Sequence, residues 1–111
     1  MDFDRYQRLA NRTGNFTGKQ AEFSLMYLGL GVTSEAGEIA DKIKKVIRND
    51  DGTMSREKRE AILFEMGDVL WYLSQLARHF DVPFSKVANM NIKKLADRAK
   101  RNVIASNGDT R

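Results

Sequence analysis

Cysteine is absent, and the 111 residues hold only one histidine, one proline and one tryptophan. Without cysteine, disulfides and thiolate metal sites are excluded, and a reducing compartment is compatible. A single histidine, His79, also excludes a His-rich zinc centre. Proline this scarce, with few β-branched runs, favours helices over strands and turns. No stretch of about 18 apolar residues occurs, so no membrane span is expected. Met1-Asp2-Phe3-Asp4-Arg5 shows no basic segment leading into an apolar one, so no secretory leader is expected. These absences together suit a cytoplasmic protein.

What is present is helical periodicity. Phe3, Tyr6, Leu9 and Ala10 outline a short first helix, and the glycines and threonines between Arg12 and Gly18 predict a loop. A long helix follows from about Ala21 to Ile47, with Gly29 and Gly31 as points where it would kink or break. Its later half repeats Val32, Ala36, Ile39, Ala40, Ile43, Val46 and Ile47 at steps of three and four. Asn49-Asp50-Asp51-Gly52 is a stop signal, and Ser55 a plausible N-cap for the next helix. That helix carries the stripe Ile62, Met66, Val69, Leu70, Leu73, Leu76, Ala77 and Phe80, and ends at Asp81-Val82-Pro83. A last helix bears Phe84, Val87, Ala88, Ile92, Leu95 and Ala99, before an irregular tail over about 102–111. The length suits one domain, 1–111. The expected fold is all-α, a four-helix-bundle-like protomer whose long apolar stripes favour pairing with a copy of itself.

Two short words stand out within this pattern, Glu35-Ala36-Gly37-Glu38 and Glu65-Met66-Gly67-Asp68. Acids three residues apart share a helix face. At about 100° per residue, Glu35 and Glu38 lie about 70° and 130° to one side of the apolar stripe centred near Ile43 and Val32. Glu65 and Asp68 take the same offsets from the stripe centred near Leu73 and Ile62. If the two helices run antiparallel and face each other with their stripes, both pairs border one groove. Converging carboxylates raise one another's pKa, and a hard divalent cation relieves the conflict. Mg²⁺ is the expected ion, with Mn²⁺ a plausible substitute. The plainer alternative is solvated acids with basic neighbours, such as the i,i+4 pair Glu38 and Lys42. Each word also encloses a glycine, which costs a helix about 1 kcal/mol relative to alanine. Close approach of another helix or a ligand, or room for a metal–phosphate unit, would account for both.

The net charge of +4 favours polyanionic ligands. Its basic stretches, Lys42 to Arg48 and Lys93 to Arg101, also admit a helical nucleic-acid-binding protein. An acidic cluster repels DNA, which makes nucleic acid the weaker choice. A non-catalytic dimerisation module is a further alternative, but it leaves the paired glycines unexplained.

On these residues the chain resembles the MazG-like nucleoside triphosphate pyrophosphohydrolases, the all-α NTP pyrophosphatase superfamily, in its small phage and bacterial form. The resemblance rests on Glu35, Glu38, Glu65 and Asp68. It extends to Gly29-Leu30-Gly31, Lys44-Lys45, Asp68-Val69-Leu70-Trp71-Tyr72-Leu73, Asn91-Ile92-Lys93-Lys94-Leu95-Ala96-Asp97-Arg98 and Gly108-Asp109-Thr110-Arg111. One departure is Ser34, where many members carry a further acid before the first word. The resemblance implies Mg²⁺ on the four carboxylates and hydrolysis of a nucleoside or deoxynucleoside triphosphate to its monophosphate and pyrophosphate, in nucleotide-pool control or house-cleaning. Glu35 or Glu38 would orient the attacking water or take its proton. Lys45, Tyr72, Asn91, Lys94, Arg98 and Arg111 would hold phosphates. Trp71 and Phe16 would stack on a base, and Tyr27 would line the base pocket of a neighbouring subunit in a dimer or tetramer.

Overall fold

Helix boundaries follow local chemistry. The computed structural model describes residues 1–104. Helix α1 (Phe3–Ala10) starts where Asp2 accepts the backbone N–H of Arg5 at 2.8 Å, and a 3₁₀ turn over Asn11–Thr13 extends it. A short α2 (Lys19–Glu22) precedes α3 (Ser24–Asp50). Helix α3 ends in a left-handed cap: Asp51 has φ 52°, and the Gly52 N–H reaches back to the Val46 carbonyl at 3.1 Å. Ser55 then caps α4 (Arg56–His79) by accepting the Lys58 N–H. Asp81, with φ 57°, turns the chain, and α5 (Phe84–Ile104) follows Pro83. The described residues contain no strand, and the class is all-α as expected.

One expectation fails in the backbone. Gly29 and Gly31 do not break the second predicted helix, since α3 runs through both. At Gly31 the reason is packing. The position is buried, and the ring of Tyr72 occupies the space a Cβ would need.

Helices α3 and α4 form an antiparallel hairpin, and α1 lies against α4. Polar ties fix the base of this arrangement. The Gln7 side chain donates to the carbonyls of Ser74 and Val82 and accepts the Phe84 N–H, joining α1, α4 and the start of α5. Asp4 accepts from both the backbone N–H and the hydroxyl of Ser85, and these bonds hold its carboxyl below the usual range. Phe84 is buried against Phe3 and Tyr6.

The predicted apolar stripes are only partly covered. Among the described residues the buried apolar side chains are Ala10, Leu28, Val46, Ala77 and Phe84. Ile47, Met66, Phe80 and Ile92 stand 67%, 52%, 62% and 66% exposed. The radius of gyration, 17.8 Å, exceeds the roughly 13 Å of a globular chain of about 100 residues. Along the two hairpin stripes Val46 and Ala77 are buried, Val32 and Ile62 are half-buried, and Ile43 and Leu73 are exposed.

Candidate metal and nucleotide site

A seven-residue spacing relates polar residues of α3 and α4. On α3 it joins Glu35, Lys42 and Asn49, and on α4 Lys58, Glu65 and Tyr72. Seven residues are close to two helical turns, which keeps each set on one helix face. Because the helices are antiparallel, Tyr72 meets Gly31, Glu65 and Asp68 meet Glu35, and Lys58 lies across from Lys45 and Asn49.

Glu35, Glu65 and Asp68 each bring a carboxylate oxygen within 4.8 Å of the others. Glu35 and Glu65 are half-buried, and Asp68 is exposed. Burial pushes the Glu35 carboxyl up, reinforced by its hydrogen bond to Glu65 and by the charges of Asp68, Glu65 and Glu38. Glu65 moves the opposite way, because the Lys42 ammonium sits 2.9 Å from it. The two carboxyls are therefore pushed in opposite directions across their shared hydrogen bond. Glu38 stands one turn away, 3.8 Å from Lys42. The structure thus brings together three of the four predicted ligands, and the fourth makes the i,i+4 pair that was its plainer alternative.

This donor set suits a hard divalent ion. Its three carboxylates offer oxygen donors within 4.8 Å of one another, and the Lys42 ammonium lies 2.9 Å from Glu65.

An aromatic group adjoins the carboxylates. Tyr27 and Tyr72 have ring centroids 6.4 Å apart, Trp71 stands edge-on to Tyr72 at 5.0 Å, and Phe16 packs on Tyr27 at 5.6 Å and on Trp71 at 6.2 Å. The Trp71 indole N–H donates to Thr13. Burial raises the Tyr72 hydroxyl pKa, aided by its hydrogen bond with Tyr27 and by Glu35 and Asp68. Tyr27, expected to line a base pocket from a neighbouring subunit, meets Tyr72 within its own chain. Tyr6 was missed altogether. Burial raises its pKa, and the Asp68 charge adds to the shift, so α1 also faces the acids.

The remaining predicted residues are dispersed. Lys45 pairs with Asp41 at 2.7 Å. Asn91 and Lys94 line a separate hollow on α5 with Val87 and Met90. The Nε of Arg98 is screened from solvent without a hydrogen-bond partner among the described residues. Arg111 lies outside the described residues. Gly37 and Gly67 have no neighbour within 4 Å of an added Cβ, so close packing within the chain does not explain them. Lys42 and Lys58 were missed as site residues, although the seven-residue spacing from the acids marks both.

Comparison with known proteins agrees with this layout. The profile of the MazG nucleotide pyrophosphohydrolase domain matches residues 23–103. That segment holds the whole hairpin and most of α5. The chain is similar to the Gene 37 protein of Mycobacterium phage L5, with 41% identity over 114 residues and all of both chains covered. No solved structure matches. A family profile spanning most of the chain, laid over a helical hairpin with acids at its seam, leads to one conclusion: the chain belongs to the MazG nucleotide pyrophosphohydrolase family.

Proposed function

We propose that the protein hydrolyses nucleoside or deoxynucleoside triphosphates to the monophosphate and pyrophosphate, dependent on Mg²⁺ or Mn²⁺, in the cytoplasm of a bacterial cell or infected host. The observation that carries this reading is the convergence of Glu35, Glu65 and Asp68 within 4.8 Å, in a chain of this family. These three residues, with Glu38 one turn along, would hold the metal. When bound, the ion supplies neutralisation of phosphate charge and acidification of an attacking water.

The chain's own groups do the rest. Glu38 is exposed and outside the tight group, and its carboxylate, 3.8 Å from Lys42, would orient a water or accept its proton. Glu35 is the alternative base. The Tyr72 hydroxyl, held near Glu35 and Asp68, can donate to a phosphate oxygen. Trp71 and Phe16, with Tyr27, offer faces for a base.

Lys45, Asn91, Lys94, Arg98 and Arg111 are proposed phosphate ligands, the last four resting on the resemblance. The uncovered apolar faces of α3, α4 and α5 support a homo-oligomer, a dimer or tetramer, as the working form.

The decisive experiment incubates the protein with canonical and modified triphosphates plus Mg²⁺ and identifies the products. Monophosphate plus pyrophosphate is expected. Release of orthophosphate, or no turnover of any triphosphate, refutes the proposal.

A further inference from the structure

Beyond the carboxylates, toward the α3–α4 turn, lies a pocket of about 220 Å³ lined by Lys42, Lys45, Asn49, Lys58 and Ala61. Three lysines line it, at one end of the acidic seam. Each already meets a carboxylate: Lys42 meets Glu65 and Glu38, Lys45 meets Asp41, and Lys58 meets Asp50. An ammonium has three donors, so these pairings do not exhaust them. Their side chains are 32%, 49% and 43% exposed, open enough to admit a ligand. Asn49 spends its carbonyl oxygen on Arg48, leaving its amide nitrogen as a further donor.

The order along the hairpin gives this pocket its meaning. Phe16, Tyr27, Trp71 and Tyr72 lie at one side of the carboxylates, and the lysine pocket lies at the other. From Glu35 to Lys45 the axial rise is about 15 Å, at 1.5 Å per residue. Side chains lean toward a helix's N-terminus, so Lys42 and Lys45 lean back along α3 toward the acids. Lys42 does so visibly, at 2.9 Å from Glu65. Lys58, on the antiparallel helix, leans toward the turn and forms the far wall with Asp50. A triphosphate has one aromatic end and one polyanionic end, and the seam presents their complements in sequence.

We propose that the Lys42–Lys45–Lys58 pocket is the subsite for the β- and γ-phosphates of the substrate and for the released pyrophosphate. The nucleoside then points toward the aromatic group. This rests on the hydrolase reading above. It fixes the polarity of the bound nucleotide and makes the pocket a selector for triphosphates over monophosphates.

The test is calorimetric titration of the full-length protein with inorganic pyrophosphate, and separately with a deoxynucleoside monophosphate, both with Mg²⁺. Lys58→Ala is expected to weaken pyrophosphate binding about tenfold, the worth of one charge-assisted contact, and to leave monophosphate affinity unchanged. Asp50→Asn removes the competing carboxylate and is expected to tighten pyrophosphate binding. If Lys58→Ala does not fold, Lys45→Ala, whose ion pair lies within α3, carries the same expectation. A purely structural Lys58–Asp50 pair would lower the unfolding midpoint in both variants and leave pyrophosphate affinity alone. That result, in a protein that hydrolyses triphosphates, overturns the subsite and spares the hydrolase reading. A protein that turns over no triphosphate overturns both.

Discussion

Three helical glycines near the seam should respond to the same substitution with opposite signs. In a helix interior, glycine to alanine gains about 1 kcal/mol where a methyl fits. At Gly37 and Gly67 an added Cβ has no heavy atom within 4 Å, so each variant should gain about that amount. In a domain of this size that is a rise of about 4 °C in the unfolding midpoint. At Gly31 the new methyl would overlap the Tyr72 ring, itself held between Trp71 and Tyr27. Overpacking a filled site costs about 1–3 kcal/mol, so Gly31→Ala should lose up to about 2 kcal/mol despite the helical gain. Adding Tyr72→Ala should recover part of that loss, because the two changes share one space. The assay is thermal unfolding by far-ultraviolet circular dichroism. Protein concentration must be fixed, since association shifts the midpoint. A Gly31→Ala midpoint that rises like the other two would refute the Tyr72 packing. Activity gives a second reading. If Gly37 and Gly67 leave room for the metal–phosphate unit, their alanine variants gain stability while losing turnover.

The remaining expectations concern charge and assembly. Glu38→Gln and Asp68→Asn should each abolish triphosphate turnover with helical content retained, and full activity in both would sink the carboxylate assignment. Glu35 is held above its ordinary value of 4.5, so the folded state binds the extra proton. Its contribution to metal-free stability is therefore lost as pH rises from about that value through the folded one. Glu35→Gln keeps a donor toward Glu65 and should raise the metal-free midpoint at pH 7 but not below pH 4, as pH-resolved unfolding would show. Glu65 opposes this, since Lys42 lowers its pKa and that stability is lost as pH falls. Light scattering on the eluted protein should give a dimer or tetramer mass, and a monomer at micromolar concentration would refute the pairing of the exposed faces.

The fold was largely legible because caps and stops act locally. Asp51-Gly52, Ser55 and Asp81-Val82-Pro83 each mark a boundary through their own backbone preferences. The continuity of α3 through Gly29 and Gly31 was not legible. A glycine that breaks a helix and one that admits a ring across an interface look the same in one chain. Only the position of Tyr72, on another helix, separates them.

The site was legible in part, and its misread portion is instructive. The wheel argument took the apolar stripes as the line of contact and the acids as its border. In the structure Glu35 and Glu65 are half-buried and Glu38 and Asp68 exposed, while Val46 and Ala77 of the stripes are buried. A hydrophobic stripe identifies a face that must be covered, but not which partner covers it, and Ile47, Met66 and Ile92 remain outside. The polar residues of the hairpin were related by the seven-residue spacing. From Glu35 that spacing leads to Lys42 and Asn49, and from Glu65 back to Lys58. Such a polar heptad is costly unless its charges find counterions. Here Lys42 supplies one on the acidic stretch, while Asp41 and Asp50 do so on the basic one. Each of these counterions is internal and replaceable. A ligand with a divalent cation at its middle and anionic groups at one end could replace all of them together. The same seam that weakens the empty hairpin therefore favours such a ligand over any that satisfies only half of it.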